Sequence, residues 1–144
     1  KALKNGTDYT VSYPKGMKNV GKYTVKVTLK GNYSGSKSMT YNINPKGTSV
    51  SKVTAAKKGF KVTWKKQATQ ITGYQVQYST SSKFKSAKTV TISKNKTTSK
   101  SVNKLSAKKK YYVRVRTYKT VKIGGKSVKL YSGWSKAKSV TTKK

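Results

Sequence analysis

The chain has 144 residues, with 35 lysines and arginines against a single acid, Asp8, and neither histidine nor cysteine. That length suits one domain of ordinary size or two small ones. The composition excludes a disulfide framework, a zinc or calcium site, a two-carboxylate glycosidase and a hydrolase that needs a base with its orienting acid.

The first residues, KALKNGTDY, show no signal peptide and read as the middle of a longer chain. Period-two alternation then begins. In YTVSY, Tyr9, Val11 and Tyr13 share one face. In GKYTVKVTLKG, Tyr23, Val25, Val27 and Leu29 point one way, and Thr24, Lys26, Thr28 and Lys30 the other. Asn32-Tyr33-Ser34-Gly35 reads as a turn, after which Met39, Tyr41 and Ile43 line up. Pro45 ends that strand and Gly47 loosens the chain, which sets a boundary between residues 1–46 and 47–144. Three strands bury one face poorly on their own. The first segment is therefore expected to be the C-terminal half of a module, or to pack on the second.

Past the boundary a new strand is expected near Val50 and Val53. Phe60, Val62 and Trp64 point inward from the next, followed by Tyr74, Val76 and Tyr78, then Val90 and Ile92, then Tyr111, Val113, Val115 and Thr117. Gly124-Gly125, between Ile123 and Lys126, fits a two-residue primed turn with φ > 0. β-Branched and aromatic residues fill these runs, and no segment carries a helical period. One apolar face and one lysine-bearing face per strand predict an all-β chain of the sandwich kind. No apolar run is long enough for membrane insertion.

Several spaced features of the second segment resemble a fibronectin type III domain. They are Trp64, ITGYQVQYS (71–79), the six-residue step from Leu105 to Tyr111, YYVRVRTY (111–118) and GWSKAKSVTT (133–142) as the last strand. The resemblance implies an Ig-like/fibronectin type III β-sandwich over about 48–144. It also implies a tyrosine corner in which the Tyr111 phenol bonds back to the backbone near Leu105. YSGWS (131–135) is similar to the Trp-Ser-x-Trp-Ser box of cytokine-receptor members, with Tyr131 where the first Trp would be. That box interleaves aromatic rings with arginines. The only two arginines of this chain, Arg114 and Arg116, face outward on the neighbouring strand. Guanidinium stacks on an indole better than ammonium does, so Arg114, Arg116, Tyr131 and Trp134 are expected to form a structural cation–π ladder. A ligand-binding patch is the competing reading. Residues 3–45 resemble the tail half of an Ig-like repeat of Gram-positive surface proteins. This implies a smaller, incomplete N-terminal β module and an extracellular or cell-surface bacterial protein whose parent chain carries other domains.

The chemistry left is electrostatic and noncatalytic, and no cofactor or metal is expected. Asp8 is the sole carboxylate that could catalyse an intramolecular Lys–Asn isopeptide bond, but GTDY reads as a turn. Lysines cluster at Lys57-Lys58, Lys65-Lys66, Lys108-Lys109-Lys110 and Lys143-Lys144. A globule of this mass exposes roughly 7,000 Å², which spreads the cations about 14 Å apart, beyond the ~8 Å Debye length at physiological salt. Such a surface attracts polyanions. An anionic cell-wall polymer or glycan is the expected partner, with nonspecific nucleic-acid binding in dilute buffer that fades with salt. A solvated face that binds nothing remains open. So does a contact surface on the 121–130 hairpin, where Val121, Ile123, Val128 and Leu130 would form an apolar tip.

Overall fold

The computed structural model describes residues 2–12, 19–31 and 34–144. Tyr13 of the first alternating run, and Asn32 and Tyr33 of the expected turn, lie outside the described residues. The strands are β1 (Tyr9–Ser12), β2 (Gly21–Leu29), β3 (Ser36–Ile43), β4 (Val50–Ala56), β5 (Gly59–Trp64), β6 (Gly73–Ser79), β7 (Lys88–Ile92), β8 (Ser99–Val102), β9 (Lys110–Ile123), β10 (Lys126–Tyr131) and β11 (Lys138–Thr141). They form three antiparallel sheets, β1-β2-β3, β4-β5-β8 and β10-β9-β6-β7, with β11 pairing β9. No helix among the described residues is long and apolar enough to cross a membrane.

In the first sheet the alternation becomes register. Tyr23 sits opposite Tyr41, Val25 opposite Met39, and Val11 opposite Val27. The Tyr23 and Tyr41 rings lie 6.1 Å apart. Val25 is buried, whereas Met39 stays 56% exposed. Asp8 closes the turn before β1, because its carboxylate accepts the Lys4 N–H at 2.9 Å. That occupies Asp8 with turn capping.

The other two sheets share one core. Phe60 and Val62 from β5, Tyr74 and Val76 from β6, and Val113 and Val115 from β9 are fully buried, with Val102 and Val140 closing the cluster. Phe60 meets Tyr78 edge-on at 5.6 Å, and Trp64 meets Tyr74 at 5.3 Å. The Tyr74 hydroxyl donates to the Asn95 carbonyl at 2.8 Å and accepts the Gln67 N–H at 3.0 Å, which satisfies its polar end. β6 runs so close to β7 that a Cβ at Gly73 would lie 2.0 Å from the Ile92 carbonyl oxygen.

The segment leaving β3 is tied into the sandwich. Pro45 is buried, and the Thr117 hydroxyl, fully buried on β9, donates to the Lys46 carbonyl at 2.7 Å. The β9–β10 turn has φ of +58° at Gly124 and +81° at Gly125, the primed geometry that suits a twisted hairpin.

The last strand differs from expectation. Instead of one strand through 133–142, β10 ends at Tyr131 and β11 starts at Lys138, so Trp134 lies in the irregular stretch between them. Two serines cause the break. The Ser132 hydroxyl accepts the Thr117 N–H at 2.9 Å and the Ser135 hydroxyl accepts the Val115 N–H at 3.0 Å. Side-chain oxygens thus replace backbone carbonyls opposite β9, and the chain bulges.

Candidate polyanion-binding site

Three of the four lysine clusters meet at one end of the sandwich. Lys57 and Lys58 form the turn between β4 and β5. The Lys58 N–H donates to the Lys143 carbonyl at 2.9 Å, and the Lys58 carbonyl accepts from the Leu105 N–H at 2.8 Å. The Lys143 N–H returns to Ala56 at 2.9 Å. Thr142, 3% exposed, donates its N–H to the Lys109 carbonyl at 3.0 Å while its hydroxyl accepts the Lys109 N–H at 3.0 Å. These bonds gather Lys57, Lys58, Lys108, Lys109, Lys110, Lys143 and Lys144, all exposed, into one cationic pole. Lys104 joins them through the same loop. Lys58, Lys104 and Lys108 hold left-handed φ values of 45°, 60° and 50°, where a non-glycine residue is strained. Lys65 and Lys66 are exposed at the opposite end of β5, where the Lys65 N–H bonds Ser49, and do not join the pole.

The two arginines occupy the outer face of the large sheet, since Val113, Val115 and Thr117 take the inner one. The bulge at Ser132 and Ser135 brings Tyr131 and Trp134 over that face. Arg116 lies between Tyr131, 3.8 Å from the ring centre, and Trp134 at 4.2 Å. Arg114 lies between Trp134 at 4.7 Å and Phe84 at 3.9 Å. The stack runs Tyr131, Arg116, Trp134, Arg114, Phe84. Its lateral grip comes from β6. Arg116 Nε and Nη2 donate to Gln75 Oε1 at 2.9 and 2.8 Å, and Arg114 Nε donates to Gln77 Oε1 at 2.8 Å, with Nη2 on the same oxygen. The glutamine amides pass on to Thr91 and Thr89 of β7 at 3.2 and 3.4 Å. Desolvation lowers the pKa of both arginines. At Arg116 the Tyr131 phenol opposes that shift and the Arg114 charge adds to it.

A family model of the fibronectin type III domain matches residues 43–132, well over half of the chain. The chain belongs to the fibronectin type III family. Among solved structures, the chicken CNTN1 FN1–FN3 domains match with a TM-score of 0.56 at 19% identity, covering 88% of this chain and 44% of theirs. A β-1,2-glucanase from Parabacteroides distasonis matches with a TM-score of 0.47 at 13% identity, covering 85% of this chain and 18% of the enzyme. Domains from titin match with a TM-score of 0.47 at 19% identity, covering 99% of this chain and 51% of theirs. The chain thus spans less than half of the chicken structure, and at these identities the likeness is one of fold. No curated protein matches the chain.

In this fibronectin type III domain the Tyr111 phenol accepts the Ser106 N–H at 3.3 Å, one residue past Leu105. The hairpin is less of an apolar tip than its sequence suggests. Leu130 is buried, Val121 and Ile123 are half-buried, and Val128 is 37% exposed. Sequence reasoning missed Phe84, Gln75, Gln77 and Lys104. The glutamines carried a signal, since they alternate with Tyr74, Val76 and Tyr78 and so must share the outer face with the arginines. Phe84 and Lys104 carried none, because both sit in loops at positive φ, at 54° and 60°.

Proposed function

We propose that this fibronectin type III protein is a noncatalytic, extracellular spacer and attachment module of a bacterial surface or secreted protein. Residues 1–46 and 47–144 serve as two modules, and the cationic pole holds the chain to an anionic cell-wall polymer or glycan. The observation that carries the reading is the meeting of seven clustered lysines, with Lys104, at one end of the sandwich. Fibronectin type III domains are common in extracellular proteins, which supports the setting. Lysine ammonium groups suit diffuse attraction to a charged polymer rather than recognition of one planar group. The 121–130 hairpin, as the contact surface of a specific adhesin, is less favoured because Leu130 is buried.

The test is retention of the chain on isolated wall polymer across a salt series. Retention should fall steeply with salt. Replacing Lys57, Lys58, Lys108 and Lys109 by Gln should weaken it more than replacing four scattered lysines such as Lys26, Lys65, Lys88 and Lys100. Equal effects of the two sets would leave net charge, not the pole, as the cause. No retention of the unmodified chain at about 150 mM salt would reduce the protein to a spacer.

A further inference from the structure

Among the cations of the described residues, the two arginines are the only ones whose orientation is fixed on three sides. Rings cover both faces of each guanidinium, and a glutamine oxygen takes the Nε–Nη2 edge. The end-on edge, made by Nη1 and the second N–H of Nη2, meets no protein acceptor among the described residues. Its Nη1 is not enclosed, because Trp64 Nε1 is the one buried polar side-chain atom without a partner there. That open edge is the fork that grips an oxyanion with two parallel hydrogen bonds. No carboxylate competes for it. The single acid, Asp8, belongs to the first sheet and caps its own turn. Arg114 and Arg116 stand two residues apart on one strand and make the same bonds to the same neighbouring strand. Their open edges therefore face the same way, spaced by two strand rises, about 7 Å.

We infer that the open guanidinium edges of Arg114 and Arg116 bind successive phosphate or sulfate groups of a linear polyanion, which makes the aromatic–arginine ladder a register-setting site. This rests on the attachment reading and deepens it. The lysine pole collects the polymer, and the ladder recognises its tetrahedral oxyanions. Rings cover the guanidinium faces, and the two charges stand on either side of Trp134 with no counter-ion among the described residues, so a bound oxyanion relieves a charge that the fold leaves uncompensated.

Having two arginines makes the test direct. Their Nε and Nη nuclei give a side-chain NMR signature separate from the lysines. The 15N-labelled chain is titrated at about 150 mM salt with tripolyphosphate and, separately, with a sulfated oligosaccharide. Saturable movement of both arginine side-chain signals is expected, and the arm in which it occurs at lower concentration tells phosphate from sulfate. If the backbone amides of the lysine pole move while the arginine signals stay fixed, the ladder proposal falls and the attachment reading stands. If neither moves, both fall. The double variant Arg114→Lys/Arg116→Lys keeps the net charge and loses the forks, and should bind the preferred probe about tenfold more weakly. Unchanged affinity in a variant whose spectrum still shows the native sandwich would overturn the proposal.

Discussion

Arg116 shows what one side chain does in this molecule. It is held by two rings and by a forked bond to Gln75, and each cation–π contact contributes about 0.5–1 kcal/mol at an exposed site. Arg116→Lys keeps the charge but loses the planar stack and the fork. It should cost about 1–2 kcal/mol, with a smaller loss for Arg114→Lys, whose contact with Trp134 is longer at 4.7 Å against 4.2 Å. Thermal unfolding of both variants checks the order, and unchanged midpoints would remove the ladder from the stability account. Beside the same stack, opposite Tyr131 on β10, lies a titratable group, Tyr118. Burial first, and Tyr131 second, raise its pKa above the ordinary tyrosine value. A raised folded pKa means that the folded chain keeps a proton the unfolded chain has lost. The Tyr118 contribution is therefore fully present below about pH 10 and declines as pH rises toward the folded value. The comparison is with Tyr118→Phe, which leaves every other group in place. The stability of the wild type relative to that variant should fall between about pH 9.5 and pH 11, and a constant difference would contradict the burial effect.

At the scale of elements, the path of β9 and its neighbours was readable wherever alternation was strict. Tyr111, Val113 and Val115 faced inward as their period requires, and Gly124-Gly125 made the turn that only φ > 0 allows. Where backbone pairing yields to side chains, the period says nothing. Ser132 and Ser135 look like ordinary strand residues in sequence. Yet their hydroxyls take the Thr117 and Val115 N–H groups and split the final strand, and that split positions Trp134. The lysine pole was equally hidden. Its clusters are separated by long stretches of chain and are joined through backbone bonds at Lys58, Lys109 and Lys143 that no local pattern encodes. Three substitutions probe this scale. Ser132→Ala leaves the buried Thr117 N–H without its acceptor and should cost about 1–3 kcal/mol. Ser135→Ala, at a half-buried site open to water, should cost less. Gly73→Ala drives a methyl group to within 2.0 Å of the Ile92 carbonyl oxygen, so β6 and β7 must part. A loss of about 3 kcal/mol is expected from overpacking of this kind. Denaturant midpoints rank the three, and a Gly73→Ala chain as stable as the wild type would mean that the strands can separate freely.

For the whole molecule, charge and shape act together. The accessible surface is 9581 Å², larger than a globule of this mass would show, because an open three-stranded sheet is added to a two-sheet sandwich. The extra area spreads the cations to about 17 Å apart on average. The pole departs most from that average, since three lysine clusters meet there through the bonds at Lys58, Lys109 and Lys143. At about 0.01 M salt the Debye length is near 30 Å, so every cation feels several others and the folded chain repels itself. At about 0.15 M it is near 8 Å, and only neighbours as close as those of the pole still interact. The melting temperature should therefore climb as salt is raised across this range and then flatten. Neutralising Lys57, Lys58, Lys108 and Lys109 should raise it at low salt by more than neutralising four dispersed lysines does, even as it weakens polymer binding. Opposite signs for stability and binding in one variant are the signature of a cationic site kept against its own repulsion. A pole variant that loses binding with no gain in low-salt stability would show that these lysines are too well solvated to repel one another.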